Sequence, residues 1–273
     1  MLNEMLRYLG ERGVGEVDVA VICGTGLGGF VQQMDTSDVV LSYNQIPYFP
    51  VATVEFHFGR LVYGRMGAVR VLAFEGRFHY YEGYAMEQVV LPVRLAKSLG
   101  AKAMFLSNAA GALNPDLKKG DLMRVDDHIN LQPESPLRGP NNEKWGDRFP
   151  DMSAPYDVRI AALLHEIAVE QGVTLSDGVY VSVAGPQLET RAEYRYLRRI
   201  GGDAVGMSTV PEVIACAHMG LPCAVVSVIT DECDPDNLQP VEVEEIVAVA
   251  QGAEPQLTAL FKSAVLKVLS VIG

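Results

Sequence analysis

Short apolar runs in this chain end at glycine or small polar residues, and segments of helical periodicity alternate with them. The run 17–23 ends at Gly24, and apolar spacing over 86–99 predicts a helix just before a second run, 101–106. Strands that are almost wholly apolar are typical of a sheet covered on both faces. The alternation predicts one α/β domain, residues 1–273, with a mixed, mostly parallel twisted sheet flanked by helices on both faces.

The same patterns predict the other elements. Further strands are expected at 60–66, 69–75, 121–126, 178–184, 203–206 and 223–229. Helices are expected from Leu2 to Leu9 and at 156–171, 190–200, 210–219 and 242–269, with Pro255 kinking or dividing the last one. The irregular stretch 133–153, rich in Pro, Gly and Asn, is interpreted as a functional loop.

The net charge and the cysteine spacing argue against a nucleic-acid-binding protein and against a zinc site. The 273 residues include 22 Lys+Arg and 34 Asp+Glu, a formal net charge of −12, and a field of this sign opposes nucleic-acid binding. The four cysteines have no C-x-x-C or zinc spacing, which predicts free thiols in a reducing compartment and no metal site. No signal peptide and no run of 18 apolar residues is recognised, so we expect a cytoplasmic protein without a membrane partner.

A glycine-rich loop follows the first predicted strand. Residues 24–29 fit the pattern G-x-G-x-x-G, but no acidic residue closes a second strand about 20 residues later, as a dinucleotide site requires. Three interpretations of this loop are open: a loop that binds a single phosphate with the help of Thr25, a plain tight turn, or a dinucleotide site.

Polar residues recur where other predicted strands end. Arg77 and His79 are two residues apart in an extended turn and could share one anion, with Tyr81 on the same side; the alternative is an aromatic-rich surface loop. The other candidates are the small residues 107–111, Glu189 before a helix, the hydroxyls Ser208 and Thr209 before another, and the acidic stretch that begins at Asp231. Taken alone, Glu189 is better explained as a helix cap or a first-turn acid, and the two hydroxyls could be a simple helix cap. The acidic stretch lacks the Gly and Glu of a calcium loop.

Taken together, these segments closely resemble the trimeric purine nucleoside phosphorylases. The matching stretches are 22–28, 76–79 with 81–83, 108–115, 127–130, 136–141, 146–150, 183–186 and 204–212, in the family's order. The resemblance implies reversible phosphorolysis of purine nucleosides to the base and a pentose 1-phosphate. It also implies a homotrimer without metal or organic cofactor, whose partners are phosphate and the nucleoside.

The resemblance also implies a role for individual residues. Phosphate would be bound by Thr25, His57, Arg77, Phe78, His79, Ala109 and Ser208. The nucleoside would be bound by Tyr81, Asn108, Phe149, Leu188, Glu189, Val205, Met207, Asp231 and Val243, with Phe149 reaching into a neighbouring subunit's site. His79, Glu189 and Asp231 would be the catalytic residues.

The sequence departs from the family pattern at three positions. Asp231 stands where members specific for 6-oxopurines carry Asn, Leu188 replaces a common Phe, and Val243 aligns with a His that binds the 5′-hydroxyl. The first and third changes are shared with methylthioadenosine phosphorylases, which are the alternative within the family. Outside it, the alternatives are an NAD-dependent enzyme that uses loop 24–29 and a non-catalytic nucleoside- or phosphate-binding module.

Overall fold

The computed structural model of the chain describes residues 1–24, 28–51, 53, 58–240 and 242–273. Its strands are β1 Val19–Cys23, β2 Thr36–Ser42, β3 Arg60–Met66, β4 Val69–Glu75, β5 Ala103–Ala112, β6 Leu122–Asn130, β7 Leu175–Ser182, β8 Ala204–Gly206 and β9 Cys223–Glu232. Its α-helices are α1 Leu2–Glu11, α2 Met86–Val89, α3 Leu91–Ser98, α4 Val158–Gln171, α5 Arg191–Arg199, α6 Val210–His218 and α7 Val243–Ile272.

All of the described strands belong to one mixed sheet, in the order β2-β3-β4-β1-β5-β8-β7-β6-β9. The pairs β1–β4, β1–β5, β5–β9, β6–β7 and β7–β8 are parallel, and the other pairs are antiparallel. Because β5 also pairs with β9, strands β5 to β9 close into a ring, while β1 to β4 continue as an open sheet. The sequence did not predict this closure.

Helices cover both faces of the sheet. Along β1, Ala20 and Ile22 contribute to one hydrophobic core cluster, and Val19 and Val21 contribute to the other, as the two-residue period of a strand requires. Residues of α1, α2, α3 and α6 complete the first cluster, and residues of α4 and α7 complete the second. The predicted α/β class, with a mixed sheet between helical layers, is confirmed.

Three strands extend further than predicted, and β6 is one of them, since it continues to Asn130. β5 continues to Ala112 and β9 to Glu232, because the two strands stay paired in parallel from Met104–Cys223 to Ala112–Glu232, with an irregularity at Ala110. The small residues 107–111 and Asp231 therefore lie within strands and not in loops after them. β2 was not predicted at all, because it is a largely exposed edge strand with only Leu41 buried, so it carries little apolar signal.

Two prolines affect the helices differently from the prediction. The helix predicted over 86–99 is interrupted at Val90, and α3 begins with Pro92 in its first turn, where a missing N–H costs least. Pro255, in contrast, lies inside the continuous helix α7, so of the two predicted effects, a kink or a division, the division does not occur.

α7 is the one described helix that is long and apolar enough, by length and composition alone, to cross a membrane. Its inward-facing residues between Val247 and Val268 are buried in the core cluster that includes α4. A core helix of a globular protein meets the same length and composition criteria, and the packing of α7 is of that kind.

Candidate active site

A cavity of about 290 Å³ lies beside the carboxyl-terminal halves of β5 and β9, at the end of β8 and the beginning of α7. The predicted site residues that line it are His79, Tyr81, Ala109, Leu188, Glu189, Val205, Met207, Ser208, Asp231 and Val243. The other lining residues are not among those to which the family resemblance gives a role: Ala110, Gly111, Pro186, Tyr194, Gly206, Thr230, Cys233 and Ile246. Residues from six separate segments thus meet beside the carboxyl-terminal parts of β5, β8 and β9.

The carboxyl-terminal part of β5 extends beyond the end of its neighbour β1. β1 pairs with β5 only as far as Leu106, whereas β5 continues to Ala112. The chain after β1 stays close to β5, since the Gly24 amide donates to the Ser107 hydroxyl at 3.0 Å. A Cβ at Gly24 would lie 2.7 Å from the Ser107 carbonyl oxygen, so only glycine permits this approach.

His79 forms a buried pair with Glu82. Its Nδ1 lies 2.9 Å from Glu82 Oε1, which also accepts from the His79 amide at 2.8 Å, and its ring stacks on Tyr81 at 4.7 Å. Burial raises the pKa of Glu82, but hydrogen bonds from His79 and Thr53 outweigh this effect and lower it to about 2. Because an ionised carboxylate only accepts, His79 Nδ1 carries the proton that points to Glu82. His79 is 6% exposed and hydrogen-bonded, so it is a buried histidine with a partner, as the alternative of an aromatic-rich loop with a satisfied His also expected.

Arg77 is completely buried and paired with a carboxylate that the sequence analysis missed. Its guanidinium donates to Glu212 of α6, from Nη2 at 3.0 Å and from Nε at 3.3 Å, and to the Ser107 carbonyl oxygen. Arg77 and Glu212 are 1% and 0% exposed. Arg77 is not among the residues that line the cavity. Burial is the main cause that lowers the pKa of His79, and the charge of Arg77 lowers it further. Its role as a phosphate ligand stays a prediction.

Ser208 and Thr209 precede α6 but do not cap it. Thr209 occupies the N-cap position without a side-chain hydrogen bond to the helix, so the capping alternative is wrong. Thr209 has a φ of 69°, an unfavourable conformation for a β-branched residue. Its hydroxyl lies 2.9 Å from the Ser208 hydroxyl and accepts from Asn108 at 3.0 Å. Ser208 therefore stands at the edge of the cavity beside a helix N-terminus, where an anion is favoured.

Glu189 lines the cavity and does not cap α5, because Thr190 and Glu193 form the capping hydrogen bonds of that helix. The Thr190 hydroxyl accepts from the Glu193 amide, and Glu193 Oε2 accepts from the Thr190 amide at 2.7 Å. The interpretation of Glu189 as a helix cap is therefore wrong. Burial is the main cause that raises the pKa of Glu189, and the charge of Asp231 adds to it.

Asp231, near the end of β9, accepts hydrogen bonds on both carboxylate oxygens. The Thr230 hydroxyl donates to Oδ1 at 2.9 Å, and the Cys233 thiol donates to Oδ2 at 3.1 Å. Gly111 of β5 faces this pair, and a Cβ there would lie 2.5 Å from Cys233 Sγ and 2.9 Å from Asp231 Oδ2. Cys233 could have been found from the sequence, because residues two apart in an extended strand point to the same side.

Several predicted site residues do not line the cavity. The Phe78 side chain was wrongly assigned to phosphate, since it is buried in an aromatic cluster with Tyr43, Phe49 and Tyr84. Asn108 is also buried, where it donates to Thr209 and not into the cavity. Phe149 is 87% exposed. Thr25 and His57 lie outside the described residues.

The sequence of residues 18–266 matches the model of a known family, described as the phosphorylase superfamily. The chain belongs to this superfamily. It is 44% identical over 247 residues to purine nucleoside phosphorylase 1 of Bacillus subtilis, covering 90% of this chain and 91% of the relative. It is also 44% identical over 256 residues to the mouse purine nucleoside phosphorylase, covering 90% and 88% of the two chains.

Solved structures of phosphorylases share the fold. The Schistosoma mansoni purine nucleoside phosphorylase in complex with adenosine superimposes with a TM-score of 0.91 at 34% identity, covering 98% of this chain and 96% of the other. Isoform 2 of that enzyme, in complex with cytosine and ribose-1-phosphate, gives 0.92 at 35% identity with the same coverage. The predicted identification as a purine nucleoside phosphorylase, a pentosyltransferase, is confirmed by these relatives. An NAD-dependent enzyme built on loop 24–29 has no support among them.

Proposed function

We propose that the cavity carries out phosphorolysis of purine nucleosides, with phosphate beside His79 and Ser208 and the purine beside Glu189 and Asp231. A phosphate oxygen attacks C1′ of the pentose, the bond from C1′ to N9 breaks, and its electron pair leaves with the base. The observation that supports this proposal is the convergence of ten predicted site residues on one cavity. The phosphate and the purine base are then each placed beside side chains suited to their part of the reaction.

The phosphate side needs groups that bind an anion close to a cationic transition state. An oxocarbenium-like pentose is stabilised by the bound phosphate dianion that attacks it. Burial lowers the pKa of His79, so its ring is neutral at pH 7, and the tautomer that donates from Nδ1 to Glu82 has an unprotonated Nε2. We infer that Nε2 accepts a hydrogen bond from a protonated phosphate oxygen and so positions the phosphate, while Glu82 fixes the orientation of the ring.

His79→Ala is expected to raise the KM for phosphate about tenfold, the effect of losing one hydrogen bond to a charged group. Steady-state kinetics with varied phosphate and saturating nucleoside measures it. His165→Ala is the matched control, since His165 lies in α4 beside Asp177, outside the cavity. A phosphate KM within twofold of the wild type would contradict the role of His79.

The base side needs to stabilise the negative charge that the leaving purine gathers. A proton donor near N7 typically contributes ~10²–10⁴-fold to such a step. Glu189 and Asp231 both line this part of the cavity, and burial raises the pKa of Glu189, which favours its protonated form. We infer that Glu189 is the proton donor. The Asp231 carboxylate accepts from Thr230 and Cys233, and its remaining lone pairs suit an exocyclic 6-amino group. The enzyme would then cleave adenosine as well as inosine.

We also propose that the enzyme is a homotrimer in which one subunit completes its neighbour's site. Two features support this: Phe149 is 87% exposed, and the cavity is rimmed by the half-exposed apolar side chains Leu188 and Val243. An aromatic ring so exposed is costly unless another surface covers it. Phe149 of a partner subunit could cover this rim.

Phe149→Ala is expected to raise the KM for the nucleoside about tenfold, because the apolar cover of the site is lost. The thermal midpoint of unfolding should not change. Val169→Ala, another exposed apolar side chain, is the control. Light scattering gives the mass of the assembly. A monomeric mass, or an unchanged nucleoside KM in Phe149→Ala, would contradict a shared site.

One substrate panel tests the proposal as a whole. Inosine, guanosine, adenosine and methylthioadenosine are incubated with and without phosphate, and released base is measured. Phosphate-dependent release is expected, without added metal or organic cofactor; no group of His, Cys, Asp and Glu suited to a metal is found among the described residues. Release only from methylthioadenosine would favour the alternative phosphorylase, and no release at all would favour a binding module. We expect the enzyme to act in the cytoplasm, where its four buried cysteines stay reduced.

A further inference from the structure

A second cavity, of about 200 Å³, lies apart from the candidate active site, and no described residue lines both cavities. It lies between the beginning of α1, the helices α2 and α3, the end of α6 and the stretch 136–145. Its apolar walls include Leu2, Val90, Leu91, Pro136, Leu137 and Pro140. The reaction proposed above does not use this cavity, yet a buried charge lines it.

That charge belongs to Arg94 of α3. Among the described residues, three arginines are buried: Arg77, Arg94 and Arg124. Arg77 is paired with Glu212 and Arg124 with Asp177, whereas no carboxylate in the described part of the chain lies within ion-pair distance of Arg94. Burial lowers the pKa of Arg94 to about 10, so the guanidinium is still charged at pH 7. A buried charge without a counterion is costly.

Trp145 and His218 contact the Arg94 guanidinium without neutralising its charge. The ring of Trp145 covers one face, with 3.9 Å between its centroid and Arg94 Cζ. Arg94 Nη1 donates to His218 Nδ1 at 3.1 Å, so this ring nitrogen carries no proton. Burial lowers the pKa of His218, and the charge of Arg94 lowers it further, so the ring is neutral at pH 7.

The other donors of Arg94 are open to the cavity. Within the described residues, Nε and Nη2 donate to no protein group, and neither is among the fully enclosed polar atoms. Arg94 is only 4% exposed and lines this cavity, so the surface that remains to it opens there. The parallel N–H groups of Nε and Nη2 match the two oxygens of a carboxylate.

The charges around the cavity favour a monoanion. Glu87 and Arg138 also line it, but both are exposed to water and have opposite signs, and Arg138 is paired with Glu134 at 3.1 Å. Arg94 is desolvated, so its charge acts more strongly on a ligand. One guanidinium offers a single positive charge, and the apolar walls require an apolar ligand body.

We propose that this cavity binds a small monocarboxylate with an apolar body, whose carboxylate is paired with Arg94 and whose body contacts Leu91, Pro136 and Trp145. The site is separate from phosphorolysis and does not depend on it. The carboxylate supplies the missing counterion, and the body displaces water from the apolar walls. The cavity is smaller than the roughly 300–1,000 Å³ typical of drug-sized ligands, which limits the ligand to a small molecule.

Trp145 is the single tryptophan of the chain, so its fluorescence reports on this cavity. Titration of the purified protein with hexanoate is expected to change this fluorescence in a saturable way. Hexan-1-ol has the same apolar body without the charge, and it should bind at least about tenfold more weakly, the effect of losing a hydrogen-bonded charge. Hexylamine, a cation with the same body, should not bind. Equal Kd values for hexanoate and hexan-1-ol would contradict the role of Arg94.

Arg94→Gln removes the charge and keeps a polar side chain. Its Kd for hexanoate should rise at least about tenfold, while its Kd for hexan-1-ol should stay within about threefold of the wild type. Arg7→Gln, which removes an exposed cation of α1 outside the cavity, is the matched control and should bind hexanoate like the wild type. Calorimetry measures the same Kd values without relying on Trp145, whose surroundings change in Arg94→Gln.

These titrations require no turnover, so their outcome is independent of the proposed function. A wild type without saturable binding of hexanoate refutes the carboxylate site, even if the protein cleaves nucleosides. An Arg94→Gln variant that binds hexanoate as tightly as the wild type also refutes it. If Arg94→Gln does not fold, as judged by circular dichroism, the comparison of hexanoate with hexan-1-ol in the wild type decides.

Discussion

Arg77→Ala is expected to lower the free energy of unfolding by about 3–5 kcal/mol, because it leaves a buried carboxylate without its partner. Arg77 and Glu212 are almost completely buried, and the guanidinium donates twice to the carboxylate. Urea denaturation with both circular dichroism and fluorescence measures the change. Lys267→Ala removes a half-exposed ion pair with Glu170, and little change is expected there.

A double-mutant cycle identifies the cause. If the cost comes from the unpaired carboxylate, the variant with both Arg77→Ala and Glu212→Ala should lose less stability than the sum of the single variants. Additive losses would contradict this explanation. The fraction of folded enzyme corrects the kcat of Arg77→Ala, whereas its KM for phosphate does not depend on that fraction and reports on phosphate binding directly.

Asp231→Asn is expected to lower the ratio of kcat/KM for adenosine to that for inosine by at least about tenfold. Asp231 accepts from Thr230 and Cys233 and can accept a further hydrogen bond from a 6-amino group. An Asn side chain has one acceptor and a pair of donors, so it can donate to a 6-oxo group or to N7 instead. Both nucleosides are assayed with wild type and variant at saturating phosphate.

Asp234→Asn provides the control for this substitution, since Asp234 is an exposed carboxylate just beyond β9 and outside the cavity. It should leave the ratio unchanged. A wild type without detectable cleavage of adenosine would refute the role given to Asp231, as would an unchanged ratio in Asp231→Asn.

The sequence was informative where function depends on short segments. Arg77, His79 and Glu189 were recognised by their position after predicted strands and by family motifs, and His79 and Glu189 do meet in one cavity. Phe78 was misassigned for the same reason, because a motif does not say which of its side chains point inward. Backbone alternation turns Phe78 into the aromatic core and leaves His79 at the cavity.

Contacts between residues that are far apart in the sequence could not be predicted from local sequence patterns. Glu212 lies 135 residues after Arg77, and Tyr194 and Cys233 are on different elements. No local spacing predicts such pairs. The protonation of Glu189 depends on tertiary packing as well, because burial is the main cause that raises its pKa.

Strands, turns and motif residues could therefore be predicted from the sequence, since strand periodicity, glycine turns and motifs depend on neighbours a few positions away. The sheet closure through β5–β9, the continuation of both strands past the predicted ends, and the burial of the pair formed by Arg77 and Glu212 depend on contacts between remote segments. Long-range packing decides which polar side chains are desolvated and which other groups face them. The electrostatics of the cavity are consequently a property of the tertiary structure.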